Sequence, residues 1–317
     1  MVHKIMVPLD GSAFAEAALP TAFHLARRDA ATVELVMVQE APLAIAHAGG
    51  APVPDPGLDR ELRRRARNYL DVLLGRIDAS DRARCGTALM DGPIARTLGA
   101  RARDTRADLV IMATHARRGM SRAWAGSVAG GLVPLSPAPV LLLRPEEAEA
   151  LQPGLGSTFR RVLLPLDGSM AGDRMIERAI AVAGIEGVEY TLLRVVTAGE
   201  SPVRAALPHR GEPPSSRTQR ATVEALLDAR AEALRARGVT ARAQVVIDDS
   251  AARGILDYAD ESGTTLIAMA TRSRGGLERA LLGSVADTVL RSGDRPVLLW
   301  HPGRIGAAAS SSPVQSR

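Results

Sequence analysis

"KIMVPLDGS" (residues 4–12) returns as "RVLLPLDGS" (161–169), and the distance between the two copies decides how the chain is read. A second pair, "ATHARRGMSRAWAGSV" (113–128) and "ATRSRGGLERALLGSV" (270–285), lies far downstream within each half. Asp167 minus Asp10 is 157, Thr271 minus Thr114 is 157, and Gly283 minus Gly126 is 157. One offset holding across two separate motifs means a duplicated domain. The expected division is domain 1 at 1–144, a linker at 145–158 rich in Pro, Gly and acid, domain 2 at 159–301, and a disordered tail at 302–317 without apolar period.

Within each half, short apolar runs alternate with amphipathic segments. Strands are expected at 4–9, 32–38, 84–90, 108–113 and 139–143, and helices at 13–28, 58–78, 93–104 and 127–135. The second half repeats this with strands at 161–166, 188–195, 241–247, 264–269 and 296–300, and helices at 170–184, 216–237, 250–262 and 284–292. Runs such as "DLVIMA" and "PVLLL" are apolar on both faces, as a parallel sheet covered on both sides requires. Strand–helix alternation implies right-handed crossovers and a doubly wound α/β fold. Ligands of such sheets sit beyond the carboxyl ends of the strands. Both "PLDGS" turns and both "AT…GSV" loops fall there. So do two long Pro- and Gly-containing loops, 41–57 and 198–217, read as lids or partner-docking arms.

Composition removes several function classes. The chain has 317 residues, 46% hydrophobic but only 3% aromatic, so its cores are aliphatic and base stacking on single strands is disfavoured. Forty basic and 35 acidic residues interleave in stretches such as "RELRRRARNYLD", which reads as a solvated helix face. No nucleic-acid-binding pattern is present. Cys85 is the one cysteine, so no intrachain disulfide forms. No run reaches the ~18 apolar residues of a membrane span. The chain reads as soluble and cytoplasmic.

The chemistry expected at the sheet edge is anion binding. A helix N-terminus offers unpaired N–H groups and a positive dipole end. Gly126 and Gly283 let the backbone approach a phosphate, and Ser127 and Ser284 add hydroxyls. Asp10 and Asp167 would take a ribose hydroxyl or a metal carried by the phosphates. A structural reading stands beside this. Ser127 and Ser284 are good N-caps, Ser284 with Asp287 at capping-box spacing, and Asp-Gly-Ser is an ordinary strand-to-helix turn. His3, His24, His47, His115, His209 and His301 show no metal-ligand spacing. There is no Walker loop and no GxSxG elbow, and nothing nominates a nucleophile or base, so the chain is not expected to be an enzyme.

The ordered set "VPLDGS", "MATH…GSV", "APVLLLR" and its second copy "LPLDGS", "MATR…GSV", "RPVLLW" resembles the universal stress protein family in a tandem, two-domain form. The resemblance covers nearly the whole chain. It implies two Rossmann-like, five-stranded parallel-sheet domains packed as a pseudo-dimer through their final strands, and it allows two chains to associate further. It also implies a stress-response or signalling role, with an adenine nucleotide, ATP with its Mg²⁺, as ligand and unknown proteins as partners. The cofactor-binding residues it implies in the first half are Pro8, Leu9, Asp10, Val38, Ala113, His115, Ala116, Gly126, Ser127 and Val128. In the second they are Pro165, Leu166, Asp167, Val195, Ala270, Arg272, Ser273, Gly283, Ser284 and Val285. Val38 and Val195 would flank the adenine or ribose, with His115 and Arg272 beside the phosphates. ATP-binding members carry Gly-x2-Gly-x9-Gly-Ser/Thr. This chain reads Ala113-x2-Ala116-x9-Gly126-Ser127 and Ala270-x2-Ser273-x9-Gly283-Ser284. A non-glycine at a left-handed position costs roughly 1–2 kcal/mol, about tenfold in affinity. The expectation is weakened binding, favouring the second half. The alternatives are a nucleotide-free interaction module with relic sites and a slow nucleotide hydrolase.

Overall fold

The computed structural model describes residues 1–41, 43–45, 52–114, 127–144, 159–197, 216–271 and 282–303. Its ten principal strands form one sheet. In the first half these are β1 (Lys4–Leu9), β2 (Thr32–Gln39), β5 (Cys85–Asp91), β6 (Leu109–Ala113) and β7 (Val140–Leu143). In the second they are β8 (Arg161–Pro165), β9 (Glu189–Val196), β10 (Thr240–Ile247), β11 (Leu266–Ala270) and β12 (Val297–Trp300). The order is β10-β9-β8-β11-β12-β7-β6-β1-β2-β5. In this sheet every pairing within a half is parallel, and only β7–β12 is antiparallel. Each half is therefore a doubly wound five-stranded unit, and the two meet through their last strands.

That seam is a pseudo-twofold. Leu141 pairs with Leu298, its own repeat mate 157 residues on, and Leu142–Val297 and Val140–Leu299 flank it. All six side chains are buried. Strand alternation separates two cores. Ile5, Val7, Leu141, Leu298 and Trp300 face one side, and Met6, Val140, Leu142, Leu299 and Val297 the other. Each core contains residues of both halves, so burial is unbroken across the seam.

The first face is covered by α1 (Ala13–Glu16), α2 (Leu19–Asp29), α3 (Pro56–Arg76), α7 (Met170–Ala183) and α8 (Ser216–Arg235). The second is covered by α5 (Ile94–Asp104), α6 (Ser127–Leu132), α9 (Ala251–Glu261) and α10 (Ser284–Ser292). The segment expected as one helix at 13–28 is two. Pro20 has no N–H to return to Glu16, and the chain tightens to three-residue bonds at Ala17 and Ala18 before α2 begins. Helix α3 starts two residues earlier than expected, because Asp55 accepts from Gly57 N and Leu58 N (2.9 and 3.0 Å) and Pro56 suits a first helical position. A short helix α4 (Ala79–Arg82) was not anticipated. The 41–57 segment, expected as an open loop, contains an antiparallel pair, β3 (Leu43–Ile45) with β4 (Pro52–Pro54). The linker 145–158, residues 198–215 and the tail beyond Gly303 lie outside the described residues.

The side chains at the seam are not symmetric. Arg178 lies 3.8 Å over the Trp300 ring, and Trp300 Nε1 donates to Pro137 O (3.2 Å). Their repeat mates are Thr21 and Leu143. Arg144, buried, donates to Leu290 O at the carboxyl end of α10 (3.1 Å), while its mate is His301.

Burial lowers the pKa of His301 from 6.5, and burial with Arg27 and Arg28 does the same to His24. A depressed histidine binds its proton more readily in the unfolded chain. Its contribution is thus complete above the unfolded pKa and is lost as pH falls through the folded one. His301→Gln is expected to reduce the fall in urea midpoint between about pH 7.5 and pH 5. An unchanged fall would place the effect elsewhere.

Candidate functional site

The strand order within each half, third–second–first–fourth–fifth, creates a topological switch point. Chain leaving β1 passes to the α1/α2 face, and chain leaving β6 passes to the α6 face, so a crevice opens between the two carboxyl ends. The second half repeats this between β8 and β11.

On one wall is the Asp-Gly-Ser turn. Asp10 Oδ1 accepts from Ser12 N (2.9 Å) and from the Ser12 hydroxyl (2.5 Å). Ser12 in turn caps α1 by accepting from Ala15 N (3.2 Å). Asp167 Oδ1 accepts from Ser169 N (3.0 Å), and Ser169 caps α7 at Gly172 N (3.2 Å). Gly11 (φ +87°) and Gly168 (φ +79°) are left-handed, which is why glycine stands in both turns. Asp10 and Asp167 are exposed, so each carboxylate both shapes the turn and faces the crevice mouth.

On the other wall stand the ends of β6 and β11, then α6 and α10. Ala113 and Ala270 are half-buried, and Val128 and Val285 pack against the core from the first turn of each helix. The N-cap of α10 is Gly283, at φ +85°, without a side-chain bond. Ser284 is the first helical residue rather than the cap, and α6 likewise begins at Ser127. The expected capping box does not form either: Asp287 turns down the helix to pair with Arg291 (2.8 Å). Ser284 is exposed, and among the described residues no side chain caps the opening N–H groups of α10.

The structure thus gathers Pro8, Leu9, Asp10, Val38, Ala113 and Val128 at one edge. Pro165, Leu166, Asp167, Val195, Ala270, Gly283, Ser284 and Val285 gather at the other. His115, Ala116, Gly126, Arg272 and Ser273 lie outside the described residues, as does the Ser127 side chain.

The two edges differ at the third strand. Two residues, Gly92 (φ +125°) and Pro93, join β5 to α5, whereas Asp248, Asp249 and Ser250 join β10 to α9. Hydrogen bonding from Arg253, then from Ser250 N, holds the Asp248 carboxyl below the usual carboxylate range. Beside the first crevice, burial and a bond to Glu16 (3.0 Å) raise the Tyr69 pKa, so its hydroxyl remains a donor. Cys85 is pushed up to about 11, chiefly by burial and then by Asp81, and stays a thiol.

The arginine stretch of α3 is a helix face whose charges are largely matched. Arg63 pairs with Asp59 and Asp91, and Arg64 and Arg65 with Glu61. A depression of about 360 Å³ lined by Arg60, Arg63, Arg64, Arg67, Asn68 and Asp71 lies along this one helix. Among the described residues, no group of three or more His, Cys, Asp or Glu could hold a metal, and no helix is long and apolar enough to cross a membrane.

The repeated motifs thus stand at two matched edges of one sheet, and a sequence model of the Universal stress protein family matches residues 1–144 and 158–301. The chain belongs to the universal stress protein family. In fold it is similar to a universal stress protein from Archaeoglobus fulgidus DSM 4304, at 18% identity and TM-score 0.66, over 95% of this chain and 97% of that one. It is also similar to a functionally unknown protein from Pseudomonas aeruginosa PAO1, at 15% identity and TM-score 0.58, over 95% and 93%. Among curated proteins, no sequence matches it. Sequence reasoning passed over two residues at the crevices, Thr114 and Thr271. The signal was present, since threonine follows "MA" at the same offset in both halves.

Proposed function

We propose that this member of the stress-response family binds an adenine nucleotide, ATP with its magnesium, and thereby changes how it meets protein partners. The observation that carries this reading is the α10 terminus. Gly283 at φ +85° brings no capping side chain to the first N–H groups of a nine-residue helix, at a switch-point crevice whose opposite wall is Asp167. Helix α6 has six residues, with Gly130 and Gly131 inside it. The Arg291 partner offsets the Asp287 charge that would oppose phosphate. Both facts favour the second half as the tighter site. The rival reading, a nucleotide-free module, draws on Asp10, whose bonds to Ser12 already give it a turn-forming task.

Calorimetry with ATP and magnesium tests this on wild type, Gly126→Val, Gly283→Val and Ser284→Ala, with folding checked for each. Ser284→Ala spares the backbone and is expected to weaken binding severalfold; Gly283→Val is expected to abolish binding in the second half. Loss in Gly126→Val alone would reverse the assignment, and no binding to wild type would leave the interaction module. Turnover is expected to be far below about 1 per second. A phosphate-release rate above that, removed by one site substitution, would make the chain an enzyme.

A further inference from the structure

Thr114 and Thr271 stand at matched positions one residue beyond β6 and β11. Both are buried, at 5% and 2% exposure. Each backbone N–H is satisfied across the sheet, Thr114 by Leu143 O and Thr271 by Trp300 O (2.8 Å each). Their hydroxyls are not: Thr114 Oγ1 and Thr271 Oγ1 are buried without any hydrogen-bond partner. A buried hydroxyl without a partner destabilises the fold, and a valine of the same shape would remove that cost. Thr21 also has an unpaired buried hydroxyl, but it lies within α2 and its repeat mate is Arg178. Arg178 Nε is itself an unpaired buried donor, but among the described residues the same side chain is orphaned in both copies only at Thr114 and Thr271.

Position says what would satisfy it. Val110 and Met112 of β6 face the α5/α6 side, as do Ile267 and Met269 of β11 facing α9/α10. The same alternation puts Thr114 and Thr271 on that side, at the carboxyl ends, below the helices that begin at Ser127 and Ser284. Across each crevice stands the Asp-Gly-Ser turn. An unpaired buried hydroxyl at the carboxyl end of such a strand suits an acceptor-only group, and a phosphate oxygen is one.

We propose that the Thr114 and Thr271 hydroxyls donate to a phosphate oxygen of the bound adenine nucleotide. This rests on the nucleotide reading above, and the experiment separates the two. Wild type, Thr114→Val, Thr271→Val, the double valine variant and Thr271→Ser are titrated with ATP·Mg²⁺ and with adenosine, and ligand-free melting is recorded. ATP affinity is expected to fall about tenfold when the hydroxyl serving the occupied site is removed. Adenosine affinity stays unchanged, Thr271→Ser keeps ATP affinity, and ligand-free valine variants melt at or above wild type. If wild type binds ATP and the double valine variant binds it equally, this inference fails and the nucleotide reading stands. Equal weakening of adenosine, or a melting temperature lowered by several degrees, would also overturn it. If wild type binds no ATP, the nucleotide reading itself falls.

Discussion

Leu298→Asp is expected to remove most of the stability of the whole chain, not of its second half alone. Leu298 is fully buried and sits opposite Leu141 at the pseudo-twofold. A carboxylate there loses its water, and the leucines facing it offer nothing in return, which costs several kcal/mol after relaxation. Domain stability is typically about 5–15 kcal/mol, so the variant should be marginal at best. Leu298→Ala, which only opens a cavity, should cost about 2–5 kcal/mol. Urea unfolding followed by circular dichroism checks both. Each face of the sheet carries one core spanning both halves, so the loss is expected as one shifted transition. A separate, unshifted transition for the first half would show that the seam does not couple them.

The second large effect concerns Gly99. A Cβ there would meet Leu135 Cβ at 2.9 Å and the Leu135 carbonyl oxygen at 3.2 Å. The backbone and Cβ of residue 135 therefore pass so close to α5 that only glycine fits at position 99. The second half solves the same contact in reverse: Leu256, the mate of Gly99, lies 2.9 Å from where a Cβ on Gly293 would stand, and Ser292 is the mate of Leu135. Gly99→Leu should cost about 3 kcal/mol by overpacking. Leu256→Gly should cost at least as much, from its cavity and from glycine inside a helix. Adding Leu135→Gly, which removes the Cβ at 2.9 Å, to Gly99→Leu should recover part of the overpacking loss, while the residue-135 carbonyl at 3.2 Å keeps the rest. Strict additivity of the two first-half changes in a double-mutant cycle would refute the reciprocal packing. Gly131, which looks like a helix weakener in sequence, is of the same kind, since a Cβ there would lie 2.9 Å from Ala95 Cβ.

The sheet was legible because its strands are apolar on both faces and repeat at a constant offset. "LVIMA" could be placed from sequence to within one residue and "LIAMA" to within two. The antiparallel β7–β12 seam was not readable from periodicity, since "PVLLL" says only that a strand is buried; the family resemblance supplied it. Local errors have local causes. Pro20 divided a helix whose apolar pattern runs straight through it. Gly283 took the capping position that residue preference assigns to Ser284, because a left-handed entry to α10 excludes a side chain there. The β3–β4 pair hid behind prolines, which argue against strands. At the crevices, Asp10, Asp167 and the Gly-Ser pairs could be named from spacing. Thr114 and Thr271 recur at that spacing too, but threonine at a strand end is ordinary, and burial without a partner is what marks them out.

The asymmetric seam has a consequence for how such a molecule changes over time. In an assembly of two identical chains, every substitution at the twofold arrives on both sides at once and must suit itself. Here the halves share one gene product, so Arg178 can stack on Trp300 without a second arginine–tryptophan pair opposite, where Thr21 and Leu143 stand. Arg144 can bind a helix end while its counterpart is His301. Each half has become the specific mate of the other and has given up self-complementarity, which frees the two crevices to diverge independently while the sheet that carries them stays intact.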